Sequence, residues 1–522
     1  MGVKFQTLDK IKKKEILILI LCLLVGFALR YYSFDKKSLW VDEIHTYNDS
    51  RDGLKDQIKF YKENPGFLHP PLFFLLTHLF YPFPHPERDL RIIPLIFGTL
   101  SIPMIYLLAR SFSNAIAIPC AISLTLMTYH ISLSQDGRSY SLLMFLGMAS
   151  LYFFIRYLKT FRKRYLFPAA VLFAVLFHTS YSAIPFIIFS QVLWLYQAGN
   201  NFQKPSLFSF FLLSSLVLLL CAPWITFLAF NYAGETLMDP FHTESPGSFF
   251  SIFYGVFHDW VPYAPLMVVS LLLFILFPFF SGNKKNTFIL LSLFIFPIGG
   301  LYSFCELFKV THFVTSRYFI TFLPVFFVII FLSLEALEIR FPRLKRVLRL
   351  TPLFLFLFTA SNLVILPLYY RSEKQDIRSL TLYLKTELRE GDNIFDAAAS
   401  LTPGILHYLG AHPQTRHHIV SSWIDSENKL GFRISFSLMG KKYTIFHSKT
   451  CCSQYITEEN RLWIIVGKGS AKEFKKNSPC VLKGYFDGSF LNLSKFPEDA
   501  SIYLFLWDPK SYDKIGLELP IE

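Results

Sequence analysis

Charge is what this chain of 522 residues has least of. Only 17% of its residues are Asp, Glu, Lys or Arg, against about a quarter in soluble domains, so an ordinary water-soluble fold is excluded. Acids are the scarcer sign, 37 against 51 Lys and Arg, which leaves a formal net charge of +14. Cysteine is sparse too, at positions 22, 120, 221, 305, 451, 452 and 480. No CxxC spacing occurs among them, which argues against a zinc site built from cysteines. Cys451 and Cys452 are adjacent and Cys480 is near in sequence, so a disulfide to Cys480 is open if that region is extracytoplasmic. No solenoid-type repeat or low-complexity tract interrupts the chain.

Apolar residues are abundant: 53% hydrophobic and 18% aromatic, with 59 Phe. One soluble core stops growing near ~250–300 residues, and disordered chains are poor in aromatics. The class left is a polytopic membrane protein. On that reading the +14 marks cytoplasmic loops and gives no ground for a nucleic-acid partner.

Lys4, Lys10, Lys12, Lys13 and Lys14 precede an apolar run from Ile16 to Leu29, followed by Arg30, Tyr31 and Tyr32. With no small-x-small site after it, the run reads as an uncleaved start-transfer helix, N-terminus inside. Further apolar segments lie at 92–110, 114–133, 139–158, 165–181, 183–198, 206–229, 263–281, 287–304, 317–334 and 350–369. Basic clusters (Arg156, Lys159, Arg162, Lys163 and Arg164; Lys284 and Lys285; Arg340, Arg343, Lys345, Arg346 and Arg349) all fall inside if the count is odd. The expectation is about 11 spans, with 12 or 13 as the wider reading. Residues 70–83, apolar but short and bracketed by prolines, read as a re-entrant or interfacial helix, with a short true span as the alternative.

The expected architecture is an all-α polytopic membrane domain over 1–369 and a small soluble α/β domain over 370–522 on the outer face. In the second part a helix-like start, Ser372–Arg389, precedes strand-like runs at Asn393–Ala397, His418–Trp423, Tyr443–His447, Leu462–Val466 and Ile502–Trp507. Two outer loops emerge, 31–69 and 231–263, and loops of that length are often functional.

The first loop opens on Ser38-Leu39-Trp40-Val41-Asp42-Glu43 and closes on His69-Pro70-Pro71-Leu72-Phe73-Phe74. An arbitrary acid pair is usually just a solvated loop feature. This pair sits beside an interfacial Trp between apolar flanks, where a carboxyl pKa is expected to rise and a general base becomes available. A lone His before prolines usually marks a helix start, but His69 can also neutralise a phosphate or move a proton.

In this order the residues resemble the C-type membrane glycosyltransferases, in the branch of the protein O-mannosyltransferases and lipid A aminoarabinose transferases. LWVDE followed about 25 residues later by HPPLFF is the core of the likeness. Arg91–Gly98 resembles the RLPSxLFG stretch of that family, Gln135–Tyr140 its QxxRxY element, and His178–Tyr181 a THY-like element shifted by one. Arg317-Tyr318 with Leu323-Pro324 resembles the late RYxxxxLP element, and Asp376-Ile377-Arg378 a DWR segment with Ile for Trp. The likeness covers 38–378; residues 390–522 add little.

The resemblance implies a sugar donor on a polyprenyl phosphate, undecaprenyl phosphate in a bacterium, used at the outer face of the cytoplasmic membrane, with membrane lipids around the site. The acceptor, a glycan, lipid or protein, is left open. Asp42 is the implied catalytic base, with inversion at the anomeric carbon; Glu43 would bind acceptor, hold Asp42 or ligate a divalent cation, a metal to which nothing in the sequence commits. Arg138, Arg317 and His69 are the candidate partners of the leaving phosphate. Snorkelling to headgroups is an equal reading for Arg138. Tyr140, His178, Tyr181 and Tyr318 are weaker substrate-binding candidates; packing is the plainer reading for His178 and Tyr181, and a helix-end anchor for Arg91. Asp239, Glu244, His258 and Asp259 of the second loop are candidates for acceptor choice or plain loop polarity. A glycolipid transporter or flippase is the alternative class; against it stands the lack of Gly/Pro-broken spans in two matching halves. A non-catalytic scaffold is the third. Two glycosylation sequons, at Asn48 and Asn492, carry no weight.

Overall fold

The computed structural model describes residues 11–63, 69–194, 207–231, 249–280, 284–307, 316–342, 349–397, 400–411, 431–448, 456, 460–489, 500–510 and 516–518. The membrane part is helical: α1 (Lys13–Tyr31), α2 (Val41–Ser50), α3 (Leu54–Glu63), α4 (Leu72–His78), α5 (Pro86–Asp89), α6 (Ile92–Arg110), α7 (Asn114–Leu126), α8 (Thr128–Ser134), α9 (Tyr140–Thr160), α10 (Lys163–Phe177), α11 (Ile184–Ser190), α12 (Leu207–Asn231), α13 (Phe249–Trp260), α14 (Ala264–Phe280), α15 (Lys284–Leu307), α16 (Leu323–Arg340) and α17 (Leu350–Arg371). Among the described residues five helical stretches are long and apolar enough to cross a membrane, or six if α7 and α8 form one bent span. In Pro86–Arg110, Tyr140–Thr160 and Ser316–Arg340 the apolar window is 67–78% buried, whereas in Phe208–Asn231 and Leu350–Arg371 it is about a fifth buried. The first three form the core of the bundle and the last two its apolar rim.

Three apolar segments are not single straight spans, the first read from the sequence as re-entrant or interfacial and the other two expected to cross. Residues 70–83 do not span: α4 has 7 residues, about 10 Å of helix, and it packs Phe73, Phe74 and Thr77 inward. Segment 183–198 stops as α11 after Ser190 and turns. Segment 114–133 is broken at Met127, where α7 and α8 meet at 61°. Apolar composition alone does not report this break, because its partners lie elsewhere in the chain. Arg30, fully buried on α1, donates to the freed carbonyls of Leu124 (2.9 Å) and Thr125 (3.3 Å) and meets His130 Nδ1 at 2.8 Å. Asn362 on α17 accepts from the Thr128 amide at 2.8 Å. A non-helical residue at membrane depth persists only where protein satisfies its backbone in this way.

After α17 comes α18 (Ile377–Glu387), capped by the Asp376 carboxylate on the Ser379 amide (3.0 Å), then β1 (Asn393–Asp396), α19 (Thr402–Leu409), β2 (Gly431–Leu438), β3 (Lys441–Ser448), β4 (Leu462–Gly467), α20 (Lys468–Asn477), β5 (Val481–Phe486) and β6 (Ile502–Trp507). The strands form one sheet in the order β2-β3-β1-β4-β6-β5. The central trio β3, β1 and β4 is parallel, and the outer pairings are antiparallel. The α/β expectation for this part therefore holds; β2 and β5 were not foreseen, and the run His418–Trp423 lies outside the described residues. Cys480 is a buried free thiol; Cys451 and Cys452 lie outside the described residues.

Candidate active site

Trp40 holds an extended backbone (φ −93°, ψ 172°) and α2 begins at the next residue. Asp42 and Glu43 thus occupy a first helical turn, where exposed amides and the helix dipole favour acids. Successive side chains on a helix diverge by about 100°, so the two carboxylates meet different surroundings.

Glu43 points inward and is 0% exposed. Arg91 clasps it with both ends of its fork, Nε to Oε1 at 2.7 Å and Nη2 to Oε2 at 2.6 Å. The Gly137 amide donates to Oε1 at 2.7 Å, and a Cβ on Gly137 would come within 3.1 Å of that oxygen. The remaining N–H groups of Arg91 donate to the carbonyls of Phe34, Lys37 and Ser38 at 2.8–3.1 Å. Arg91 is therefore not the helix-end anchor the sequence suggested: it ties Glu43 to the backbone of the loop between α1 and α2.

Asp42 points the other way, with its side chain 26% exposed. Its Oδ2 lies 3.7 Å from Arg317 Nη1 and 3.9 Å from Arg138 Nε. Arg138 also donates to the Asp42 carbonyl and to Thr46 Oγ1, each at 3.2 Å. The Arg317 guanidinium lies close to three rings, Trp40 at 5.3 Å, Tyr318 at 5.7 Å and Tyr140 at 5.9 Å, and such aromatic faces favour its charge beside Asp42. Five sequence candidates, Asp42, Arg138, Arg317, Tyr318 and Tyr140, thus converge: Asp42 from α2, Arg138 from the turn before α9, Arg317 and Tyr318 from the segment before α16, and Tyr140 from α9 itself.

Burial alone would push the Asp42 carboxyl up, but Arg138 and Arg317, with His45 and Lys374 behind them, outweigh it and hold the group below the usual carboxylate range. This reverses the expected upward shift. The sequence showed the apolar flanks; the two guanidiniums arrive from positions 96 and 275 residues downstream. Burial likewise opposes charge on Glu43, and Arg91 with its hydrogen bonds overrides it downward. For Arg138 the loss of hydration is outweighed by Asp42, which keeps it protonated.

Other candidates make contacts of their own. His69 is exposed, its ring edge-on to Phe74. A His178 ring nitrogen lies 3.2 Å from the Leu220 carbonyl and Tyr181 accepts from the Trp224 indole at 2.9 Å, so both brace α10 against α12. Asp259 is buried on α13, and Asp239 and Glu244 lie outside the described residues. Among the described residues no group of three or more His, Cys, Asp or Glu side chains could hold a metal ion.

Two charged neighbours escaped the sequence reading. Asp136 accepts from the Trp40 indole at 2.9 Å and pairs with Lys374 at 2.8 Å. Both had a signal, Asp136 inside the quoted QDGRSY run and Lys374 just before Asp376-Ile377-Arg378, but neither run reveals that the two meet.

Residues 68–227 match the family model for dolichyl-phosphate-mannose-protein mannosyltransferase. No curated protein sequence matches the chain. Among solved structures, ArnT from Cupriavidus metallidurans in the apo state superposes with a TM-score of 0.52 at 12% identity, over 96% of this chain and 99% of that one. The same protein bound to undecaprenyl phosphate gives 0.51 at 12%, with the same coverage. Likeness at this identity establishes the fold. The chain therefore has the fold of the C-type polytopic membrane glycosyltransferases, and over residues 68–227 it is similar to their mannosyltransferase branch.

Proposed function

We propose that the chain moves a sugar from a polyprenyl-phosphate donor, undecaprenyl phosphate in a bacterial cytoplasmic membrane, to an acceptor hydroxyl at the outer face. The observation that carries this reading is the Asp42 carboxylate set between the guanidiniums of Arg138 and Arg317 at 3.7–3.9 Å. One acid for an acceptor proton beside two cations for a leaving phosphate is the minimum this transfer needs. The fold shared with a protein crystallised with undecaprenyl phosphate supports the donor class. The basic clusters support an N-terminus in the cytoplasm and an outer domain beyond the membrane.

In the proposed step the acceptor oxygen attacks the anomeric carbon as its proton passes to Asp42. The bond from that carbon to the phosphate oxygen breaks with its electron pair, and polyprenyl phosphate leaves carrying one more negative charge. Attack opposite the leaving group inverts the configuration. The arginines act on the charge that develops, where preorganised donors are worth most. Before the donor arrives both arginines spend their charge on Asp42, which makes it a weak base. A phosphate between them draws that charge away and raises the basicity of Asp42 when it is needed. His69 is a further phosphate partner in this proposal, and Glu43, with its oxygens taken, positions α2.

The test is complementation of a deletion strain, with mass spectrometry of its lipids, glycans and surface proteins. Wild-type chain restores a sugar mass lost on deletion, and the Asp42→Asn chain, inserted at equal level, does not. Full restoration by a well-folded Asp42→Asn protein overturns the mechanism.

A further inference from the structure

We infer that Lys374, in the segment joining the last span to the outer domain, is a positioning residue of the active site, fixing Asp136 and Trp40 and through them the start of α2 and the guanidinium of Arg317. The inference rests on the reading of Asp42 as the base and adds an element to the machinery that lies outside the matched segment 68–227.

The geometry begins with Asp136, a carboxylate buried in the turn between α8 and α9. A buried acid persists only when both oxygens are met. Oδ1 accepts from the Trp40 indole at 2.9 Å and Oδ2 pairs with Lys374 Nζ at 2.8 Å. The Lys374 ammonium also lies 4.9 Å from the centroid of the Trp40 ring, the ring that carries Arg317 at 5.3 Å. Lys374, Asp136, Trp40 and Arg317 are thus one contiguous chain of contacts that ends at Asp42 Oδ2.

The residues on either side of Lys374 hold the same loop by its backbone. Glu373 accepts from the Ser38 amide at 2.9 Å and Gln375 from the Val41 amide at 3.1 Å. The Arg378 amide donates to Ser38 Oγ at 3.2 Å, and Tyr408 of α19 takes the Leu39 amide at 2.7 Å. Val41 is the first residue of α2, and its amide is one that the helix cannot satisfy itself. Gln375 caps it from more than 330 residues away in sequence. The junction segment therefore completes the N-terminus of the catalytic helix, and Lys374 is the member of that segment turned toward the reacting groups.

Tyr140 of α9 faces the Asp42 carboxylate, and so do four basic groups: Arg138 from the turn before α9, Arg317 from the segment before α16, His45 from α2 and Lys374 from the junction. All four favour its ionised form. Removing the Lys374 charge moves the Asp42 carboxyl upward, toward a fuller claim on its proton.

The test compares full-length wild type with Lys374→Met, Lys374→Arg and Asp136→Asn in detergent or liposomes. The first readout is hydrogen exchange of residues 36–46, which needs no substrate. Faster exchange in Lys374→Met and Asp136→Asn, restored by Lys374→Arg, is expected. The second is the pH dependence of sugar transfer. In Lys374→Met the acidic limb moves to higher pH and kcat falls on the order of 10- to 100-fold; Lys374→Arg returns the limb toward wild type. Wild-type exchange in Lys374→Met and Asp136→Asn, or a limb that does not move, overturns the inference. If Asp42→Asn proves fully active, the base assignment fails on its own, and the exchange readout still judges the positioning role.

Discussion

Asp42 and Glu43 are neighbours in sequence with opposite physical fates. Glu43 has no exposure and a two-pronged partner in Arg91. Breaking a buried pair from one side leaves the other charge desolvated and costs about 3–5 kcal/mol. Glu43→Gln should therefore lower the unfolding temperature in detergent strongly, and Asp42→Asn, a quarter exposed and with both arginines open to water, should lower it little while removing transfer. Thermal unfolding of the two variants side by side checks this, and equal losses would refute the division of roles. The dipeptide was legible in the sequence because it follows an apolar span and an interfacial Trp. The division was not, since it depends on which face of α2 meets Arg91 and which meets Arg138 and Arg317. The sign of the Asp42 shift was missed for the same reason: apolar flanks report burial, and only the fold reports the cations.

The breaks and caps between elements aim these residues. The run 114–133 reads as one continuous span, yet Met127 divides it, and α8 then carries the chain to Asp136, Gly137 and Arg138. Gly98 on α6 permits the approach of α8: a Cβ there would stand 2.1 Å from Ser134 Oγ. Asn362 sits in the middle of an otherwise apolar helix, which invites a reading as a tolerated polar residue. Its Oδ1 instead meets the Thr128 amide at 2.8 Å, the first amide after the break. Replacing Asn362 by Leu strands that buried amide, at a cost of about 1–3 kcal/mol. The expected outcome is a lower unfolding temperature together with reduced transfer, because the turn bearing Arg138 loses its footing. Val364→Ala on the same helix, at a side chain 72% exposed, is the control and should change neither. Equal behaviour of the two variants would show that the break needs no cap from α17. Sequence reading finds helices from their own apolar run. It does not find a break whose partners, Arg30 and Asn362, lie on other helices.

At the scale of the whole molecule, the C-terminal domain and the membrane bundle share one set of contacts. The domain itself was legible where its strands are buried: β1, β4 and β6 are buried through most of their length and were foreseen, as was β3. The edge strands β2 and β5 escaped because GFRISFSL and VLKGYF mix polar and apolar residues, as edge strands do when only one face is covered. What no local pattern reported is the docking. Arg378 pairs with Glu87 at 2.9 Å, and the Tyr408 hydroxyl donates to the same carboxylate oxygen at 3.0 Å while accepting the Leu39 amide. Val41 packs against the core of the C-terminal domain, and the Tyr47 and His407 rings meet at 4.6 Å. The domain therefore acts as a brace on α2 rather than an appendage. Its junction carries a site for trypsin at Lys374, held shut while that side chain is 14% exposed and paired with Asp136. Glu87→Gln combined with Tyr408→Phe removes the carboxylate that gathers Arg378 and Tyr408, and leaves every residue of the Asp42 cluster in place. Trypsin should then cut after Lys374 several times faster than in wild type, releasing a fragment that begins at Gln375, which gel electrophoresis and mass spectrometry would identify. Transfer should fall in proportion, before any cleavage, as α2 loses its brace. Cleavage at the wild-type rate with full transfer would show that the two parts are merely adjacent, and that the membrane bundle alone sets the geometry around Asp42.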